Sequence, residues 1–173
     1  MNQSGIDISL DAGQQIFRLR PAAATDQQTI KQMVRSARLN PIGLNWQRFI
    51  LAVTADDQII GCVQLKPHRG GVLELASLVV IKGWRRKGVA RLLIENLKET
   101  AEPPIWLMCM SRLKKFYEPF GFRQVRLGEP MPGYYRWMLR MTFVVNRLGP
   151  PGQSLTIMVW DMVSSEICSC DLC

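Results

Sequence analysis

The stretch richest in chemistry is Val80-Ile81-Lys82-Gly83-Trp84-Arg85-Arg86-Lys87-Gly88-Val89-Ala90. It reads as a strand running into a basic, glycine-containing turn that opens a helix. The first turn of a helix leaves backbone N–H groups without intrahelical partners, and the helix dipole adds partial positive charge there. Together these make an anion site. Gly88 has no Cβ, so the backbone can approach a phosphate closely, and Ala90 is nearly as small. Arg85, Arg86, Lys87 and Arg91 add positive charge around that point. A phosphate or pyrophosphate ligand is the expectation. In isolation a G-x-A triplet would be an ordinary tight turn among solvated cations; the order strand, basic turn, helix points to a ligand.

Acid–base candidates lie nearby in sequence. Glu74 stands in a long apolar strand, where alternation places Val72, Glu74, Ala76, Leu78 and Val80 on one face. A lone carboxylate in such company is a candidate general base, the plainer reading being a half-exposed Glu paired with a neighbouring Lys or Arg. His68 is the sole histidine and precedes that strand in the loop Pro67-His68-Arg69-Gly70-Gly71. It reads first as a surface residue, with a base or substrate-lining role as the alternative. Cys62 and Cys109 sit in apolar runs and read as buried thiols. Cys168, Cys170 and Cys173 form a C-x-C-x-x-C tail that supplies three thiolates and no nearby histidine. The closed four-ligand zinc set is therefore missing, and no metal site is expected.

The elements that must position these groups are set by periodicity and breakers. Gln15–Arg20 alternates as a half-buried strand, and Thr25 is a candidate N-cap for a helix over Asp26–Leu39, with Ile30, Met33, Val34 and Ala37 at helical spacing. Asn40-Pro41-Ile42-Gly43 ends it. Arg48–Thr54 and Gln58–Leu65 are strands joined by Ala55-Asp56-Asp57. Val72–Ile81 is a strand, Gly88–Ala101 a helix closed by Pro103-Pro104, and Ile105–Met110 a strand. A short basic helix comes next, from Ser111 to about Glu118, then a strand at Phe122–Leu127, a helix over Tyr134–Leu148 and a last strand at Ser154–Asp161. This order combines an antiparallel meander with a β-α-β crossover, an α/β (α+β) pattern.

At this point the chain resembles the GNAT acetyltransferases. Arg85-x-x-Gly88-x-Ala90 matches that family's Q/R-x-x-G-x-G/A signature, and Phe116-Tyr117-Glu118-Pro119-Phe120-Gly121-Phe122 resembles its F/L-Y-E-x-x-G-F element. One helix and one strand separate the two blocks, as in the family. The resemblance covers about residues 16–127 and implies a single domain with a central, mixed, mostly antiparallel twisted sheet flanked by helices. It places an extension at 1–14, the domain at 15–161 and the cysteine tail at 162–173. It implies acetyl-CoA as cosubstrate, its pyrophosphate on the amides of Arg86, Lys87, Gly88, Val89, Ala90 and Arg91, with Arg85 opening the motif. Leu78, Val79 and Val80 would align the pantetheine arm, the Val80 amide facing the developing oxyanion. Tyr117 would protonate the departing thiolate, and Glu74 matches the base position of some histone-acetylating members. Met110 stands where many members carry an arm-binding Asn; Ser111 is the candidate substitute, since Met cannot donate a hydrogen bond. Lys82 replaces a frequent Pro. Trp46 and Arg48, and Tyr134, Tyr135 and Trp137, are candidates for lining the acceptor pocket, although aromatic clusters more often belong to the core.

The implied reaction is direct transfer of acetyl to a primary amine in a ternary complex, with no cysteine placed as a ping-pong nucleophile. A non-catalytic acyl-CoA-binding module is the alternative. Composition is compatible with either: 173 residues, 47% hydrophobic, 21% charged and a net charge of +8. Basic charge suits anionic ligands in general, but no helix-turn-helix, zinc finger or stacking platform accompanies it, so nucleic acid is not expected as a partner. No apolar run reaches the ~20 residues of a spanning helix, and the first residues lack a signal-peptide pattern. A cytoplasmic protein is expected, or a stromal one if the gene is in a plastid, with a monomer or homodimer left open.

Overall fold

A computed structural model of the chain describes residues 16–126, 128–148 and 154–161. The extension and the cysteine tail read from the sequence lie outside them. Strands β1 (Phe17–Pro21), β2 (Phe49–Thr54), β3 (Ile59–Pro67), β4 (Leu73–Val80), β5 (Ile105–Met110), β6 (Arg123–Gln124) and β7 (Leu155–Trp160) run in the order β1-β2-β3-β4-β5-β7-β6 in one seven-stranded sheet. The helices are α1 (Gln27–Ser36), α2 (Val89–Glu99), α3 (Lys114–Tyr117) and α4 (Gly133–Leu148). Two compact units divide the chain, one of residues up to Lys66 with Leu75–Thr100, the other of Pro67–Glu74 with the residues from Ala101 on. Among the described residues no helix is long and apolar enough to cross a membrane.

In the first unit β1 pairs antiparallel with β2 from Phe17↔Thr54 to Pro21↔Ile50, and β2 with β3 from Phe49↔Gln64 onward. Alternation then divides the helices between two faces. Ile30 and Val34 of α1, spaced four apart, are fully buried with Phe49, Leu51, Val53 and Cys62. Each such side chain contributes about 1.5–3 kcal/mol by leaving water. On the other face stands Gly61, where a Cβ would lie 3.0 Å from Val89 Cγ1 and 3.2 Å from Leu93 Cδ1. The absent side chain lets α2 close onto the sheet and thereby fixes the helix that carries the phosphate signature.

Thr25 does not cap α1. It lies inside a 3-10 turn, Ala24–Asp26, and the Asp26 carboxylate accepts the Ala23 N–H at 2.7 Å instead. Arg20 holds that carboxylate from β1, also at 2.7 Å. The strong charge-assisted pair outweighs a hydroxyl cap.

In the second unit Leu73 and Glu74 pair in parallel with Ile105 and Trp106. β7 pairs antiparallel with β5 along its length and with β6 at Arg123↔Val159 and Gln124↔Met158. Trp106, Tyr135, Ile157 and Val159 form the core there. Arg123 ties β6 to the end of β7 through Asp161 at 2.6 Å and takes Glu129 at 2.7 Å. β6 is shorter than the strand expected over Phe122–Leu127, and the basic helix after β5 splits into two 3-10 turns around α3.

Candidate active site

The signature turn is built by two backbone devices. Gly88 is the N-cap of α2 with φ 80°, ψ −11°, the left-handed region that glycine adopts without a Cβ penalty. Arg86 also sits at positive φ, 63°. Beyond its two chain neighbours, no atom of the described residues lies within 4 Å of the place a Gly88 Cβ would take. Gly88, Arg85, Arg86 and Arg91 are exposed, whereas Val89 is buried and anchors the helix start. An eleven-residue helix thus presents its first N–H groups beside exposed cations, as an anion site requires.

Arg85 does more than add charge. Its Nε donates to the Val80 carbonyl at 3.0 Å, folding the 3-10 turn Lys82–Trp84 back onto the end of β4. Lys87 Nζ stands 5.2 Å from the centre of the Trp84 ring, a cation–π contact, and Arg91 pairs with Glu95 at 3.8 Å. Of the β4 residues expected to align the arm, Val79 is buried in the first core and Leu78 and Val80 are half-exposed.

Strict alternation along β4 fails. Ser77 has φ 55°, and a left-handed residue inside a strand shifts the facing of the residues beyond it. Val72, Glu74 and Ala76 therefore cannot be joined by count to Leu78 and Val80. The Ser77 carbonyl meets Cys62 Sγ at 3.7 Å, and its hydroxyl accepts Gln64 Nε2 at 2.9 Å. Burial pushes the Cys62 thiol up to about 12.

Glu74 is buried, and its partner is His68 rather than the Lys or Arg of the plainer expectation. His68 Nε2 and Glu74 Oε2 are 2.5 Å apart. The His68 N–H donates to the Val72 carbonyl at 2.8 Å, which closes the β3–β4 turn and delivers the ring to the carboxylate. Tyr134, in the first turn of α4, stacks on the imidazole with ring centres 4.1 Å apart. Tyr135 is wholly buried, stacks on Trp106 at 5.4 Å, and its hydroxyl has no hydrogen-bond partner among the described residues. Burial first, and then the nearby Glu74, push both phenols above their ordinary values. His68 is thus no surface residue. The signal was its place six residues from Glu74 across a tight β-turn, where facing strands bring such pairs together.

Tyr117 ends α3 and is buried, its ring edge-on to Phe116 at 4.9 Å and Phe122 at 6.0 Å. Burial is the main reason its phenol is raised, and Cys109 adds to it. It stays protonated near neutrality, as a proton donor must. Cys109 is itself pushed up to about 11 by burial, so it is a thiol rather than a thiolate at neutral pH. Ser111 opens the turn after β5, its N–H on the Ser154 carbonyl at 2.8 Å. Trp46 packs half-buried against the first core and Trp137 is exposed, so neither joins the tyrosine cluster. Among the described residues no group of three His, Cys, Asp or Glu is placed to hold a metal.

Residues 45–124 match the family model described as acetyltransferase (GNAT) domain, a span holding β2 to β6 and both motifs. That span is a little under half of the chain. N-acetylglutamate synthase from Neisseria gonorrhoeae, complexed with coenzyme A and N-acetyl-glutamate, is similar with TM-score 0.66 and 16% identity, over 83% of this chain and 34% of that one. The chain thus spans about a third of that protein's length. Rv2747 from Mycobacterium tuberculosis, in complex with CoA, is similar at TM-score 0.62 and 18% identity, over 83% and 98%. NAA60 from Arabidopsis thaliana, bound to a bisubstrate analogue, gives TM-score 0.55 and 17% identity over 83% and 97%. At such identities the likeness is one of fold. No curated protein matches by sequence. Both of the first two structures were solved with CoA bound, and they share this fold.

Proposed function

We propose that the chain is an acetyl-CoA-dependent N-acetyltransferase whose domain spans residues 15–161. The observation that carries this reading is the left-handed Gly88 opening α2 among exposed cations at the end of β4. In this reading the amides of Arg86, Lys87, Gly88, Val89, Ala90 and Arg91 bind the pyrophosphate. Leu78, Val79 and Val80 align the arm, and Ser111 serves where Met110 cannot donate. The Val80 amide stabilises the oxyanion.

The acceptor is a primary amine, in keeping with the N-acetylglutamate synthase among the similar structures. Acetyl passes to it directly. Glu74 anchors the path by which the ammonium loses a proton, the amine attacks the thioester carbonyl, and Tyr117 protonates the departing thiolate. The high-lying Cys109 thiol favours direct transfer over a cysteine intermediate. Calorimetric titration with acetyl-CoA, with free CoA alongside, tests the cosubstrate. Micromolar binding is expected, and no binding of either would overturn the reading. Binding without acetylation of any amine would favour an acyl-CoA-binding module.

A further inference from the structure

The β3–β4 turn and the start of α4 bring four acid–base side chains into one cluster: His68, Glu74, Tyr134 and Tyr135. This cluster is larger than one carboxylate requires. Against an ionised carboxylate, which only accepts hydrogen bonds, the imidazole carries its hydrogen on Nε2. In that tautomer Nδ1 keeps the lone pair, and Nδ1 has no hydrogen-bond partner among the described residues. Tyr134 lies flat against the ring and fixes its plane, while the backbone bond to Val72 fixes its position. His68 is thus held in place by three separate contacts, of which the one to Glu74 bears on the tautomer. Close by, with ring centres 6.3 Å apart, the wholly buried Tyr135 keeps a hydroxyl with no partner among the described residues. A buried hydroxyl left unpaired beside an oriented imidazole marks a place built to meet a polar guest.

We propose that His68 is the group that removes the proton from the acceptor ammonium, at Nδ1, and that Glu74 is its positioning residue. This rests on the acetyltransferase reading above. The ammonium gives one proton to Nδ1, and the imidazolium formed is balanced by the Glu74 carboxylate. The freed amine forms the C–N bond as the C–S bond breaks. A second nitrogen proton replaces the one that Tyr117 gives to sulfur, and His68 returns its proton to solvent. The groups facing His68 are Glu74 from β4 and Tyr134 and Tyr135 from α4, with Arg69 next in the turn.

The test monitors CoA thiol release by the full chain with three probes, spermidine, free lysine and a short peptide with an open N-terminus, from about pH 6 to about pH 10. His68→Gln and His68→Asn are expected to lower kcat about 10²–10⁴-fold near neutral pH and to regain most of it where the amine deprotonates by itself. Glu74→Gln is expected to lower kcat less, and to shift the rising limb of the pH profile that both His68 variants abolish. Acetyl-CoA affinity should be unchanged in all three. A His68 loss of the same size at every pH, or one within about threefold throughout, overturns the proposal and leaves the enzyme reading standing. A wild-type chain that binds acetyl-CoA but acetylates no probe overturns both.

Discussion

Replacing Gly88 by Ala separates backbone conformation from ligand approach. The residue sits at φ 80°, and a Cβ there costs about 1–2 kcal/mol relative to glycine. Beyond the two chain neighbours, no atom of the described residues lies within 4 Å of the added methyl, so no packing penalty joins that strain. For a chain of 173 residues, about 2–4 °C of Tm is lost per kcal/mol, which gives a fall of about 2–8 °C by thermal melting. Binding should suffer more than this strain alone explains. The methyl stands at the N-cap, among the amide donors, and losing one charge-assisted hydrogen bond to phosphate costs about 1.5–3 kcal/mol. Calorimetry should therefore show acetyl-CoA about 10- to 100-fold weaker. Unchanged affinity in a protein with the lowered Tm would refute the phosphate assignment of the turn. A collapse of stability far beyond a few degrees would refute the claim that the position is open.

Tyr117→Phe should lower kcat about 10²-fold or more while leaving acetyl-CoA affinity and folding intact, because only a hydroxyl leaves a buried ring; a matching loss of cofactor binding would count against the proton-donor role. Asp26 is held below the usual carboxylate range chiefly by its hydrogen bond to Arg20. A depressed folded-state pKa stabilises above the unfolded value of about 3.9 and ceases to as pH falls through the folded value. Asp26→Asn should therefore lose about 1–2 kcal/mol in urea melts at neutral pH, and the gap should narrow in acid.

Much of the fold is legible in the sequence because its signals are local. The helical spacing of Ile30 and Val34, the alternation in β1 and the breakers at Pro41 and Pro103-Pro104 each mark an element within a few residues of its observed limits. The signature turn is legible for the same reason, since Gly88 and the cations are consecutive. Features hidden from the sequence depend on contacts distant in the chain or on backbone angles. Ser77 carries no mark of its positive φ, so counting along β4 misplaces the residues beyond it. His68 has the surroundings of a loop residue in sequence, and Tyr134, far along the chain, encloses it by stacking on the ring. The cap of α1 passes from Thr25 to Asp26 because Arg20 of β1 reaches that carboxylate.

The position of β7 has a consequence for biosynthesis. It is the last strand in sequence, Leu155–Trp160, yet it lies between β5 and β6. While the chain emerges from the ribosome, β5 must wait about fifty residues for the neighbour that covers its free edge, about a few seconds at typical synthesis rates. Through that interval Ile105, Trp106 and Leu107 form an apolar strand with an open hydrogen-bonding side, the kind of edge that recruits other chains. Nascent chains halted before Leu155 should therefore be the aggregating species, and a chaperone that shields β5 would govern yield more than one acting on the first unit.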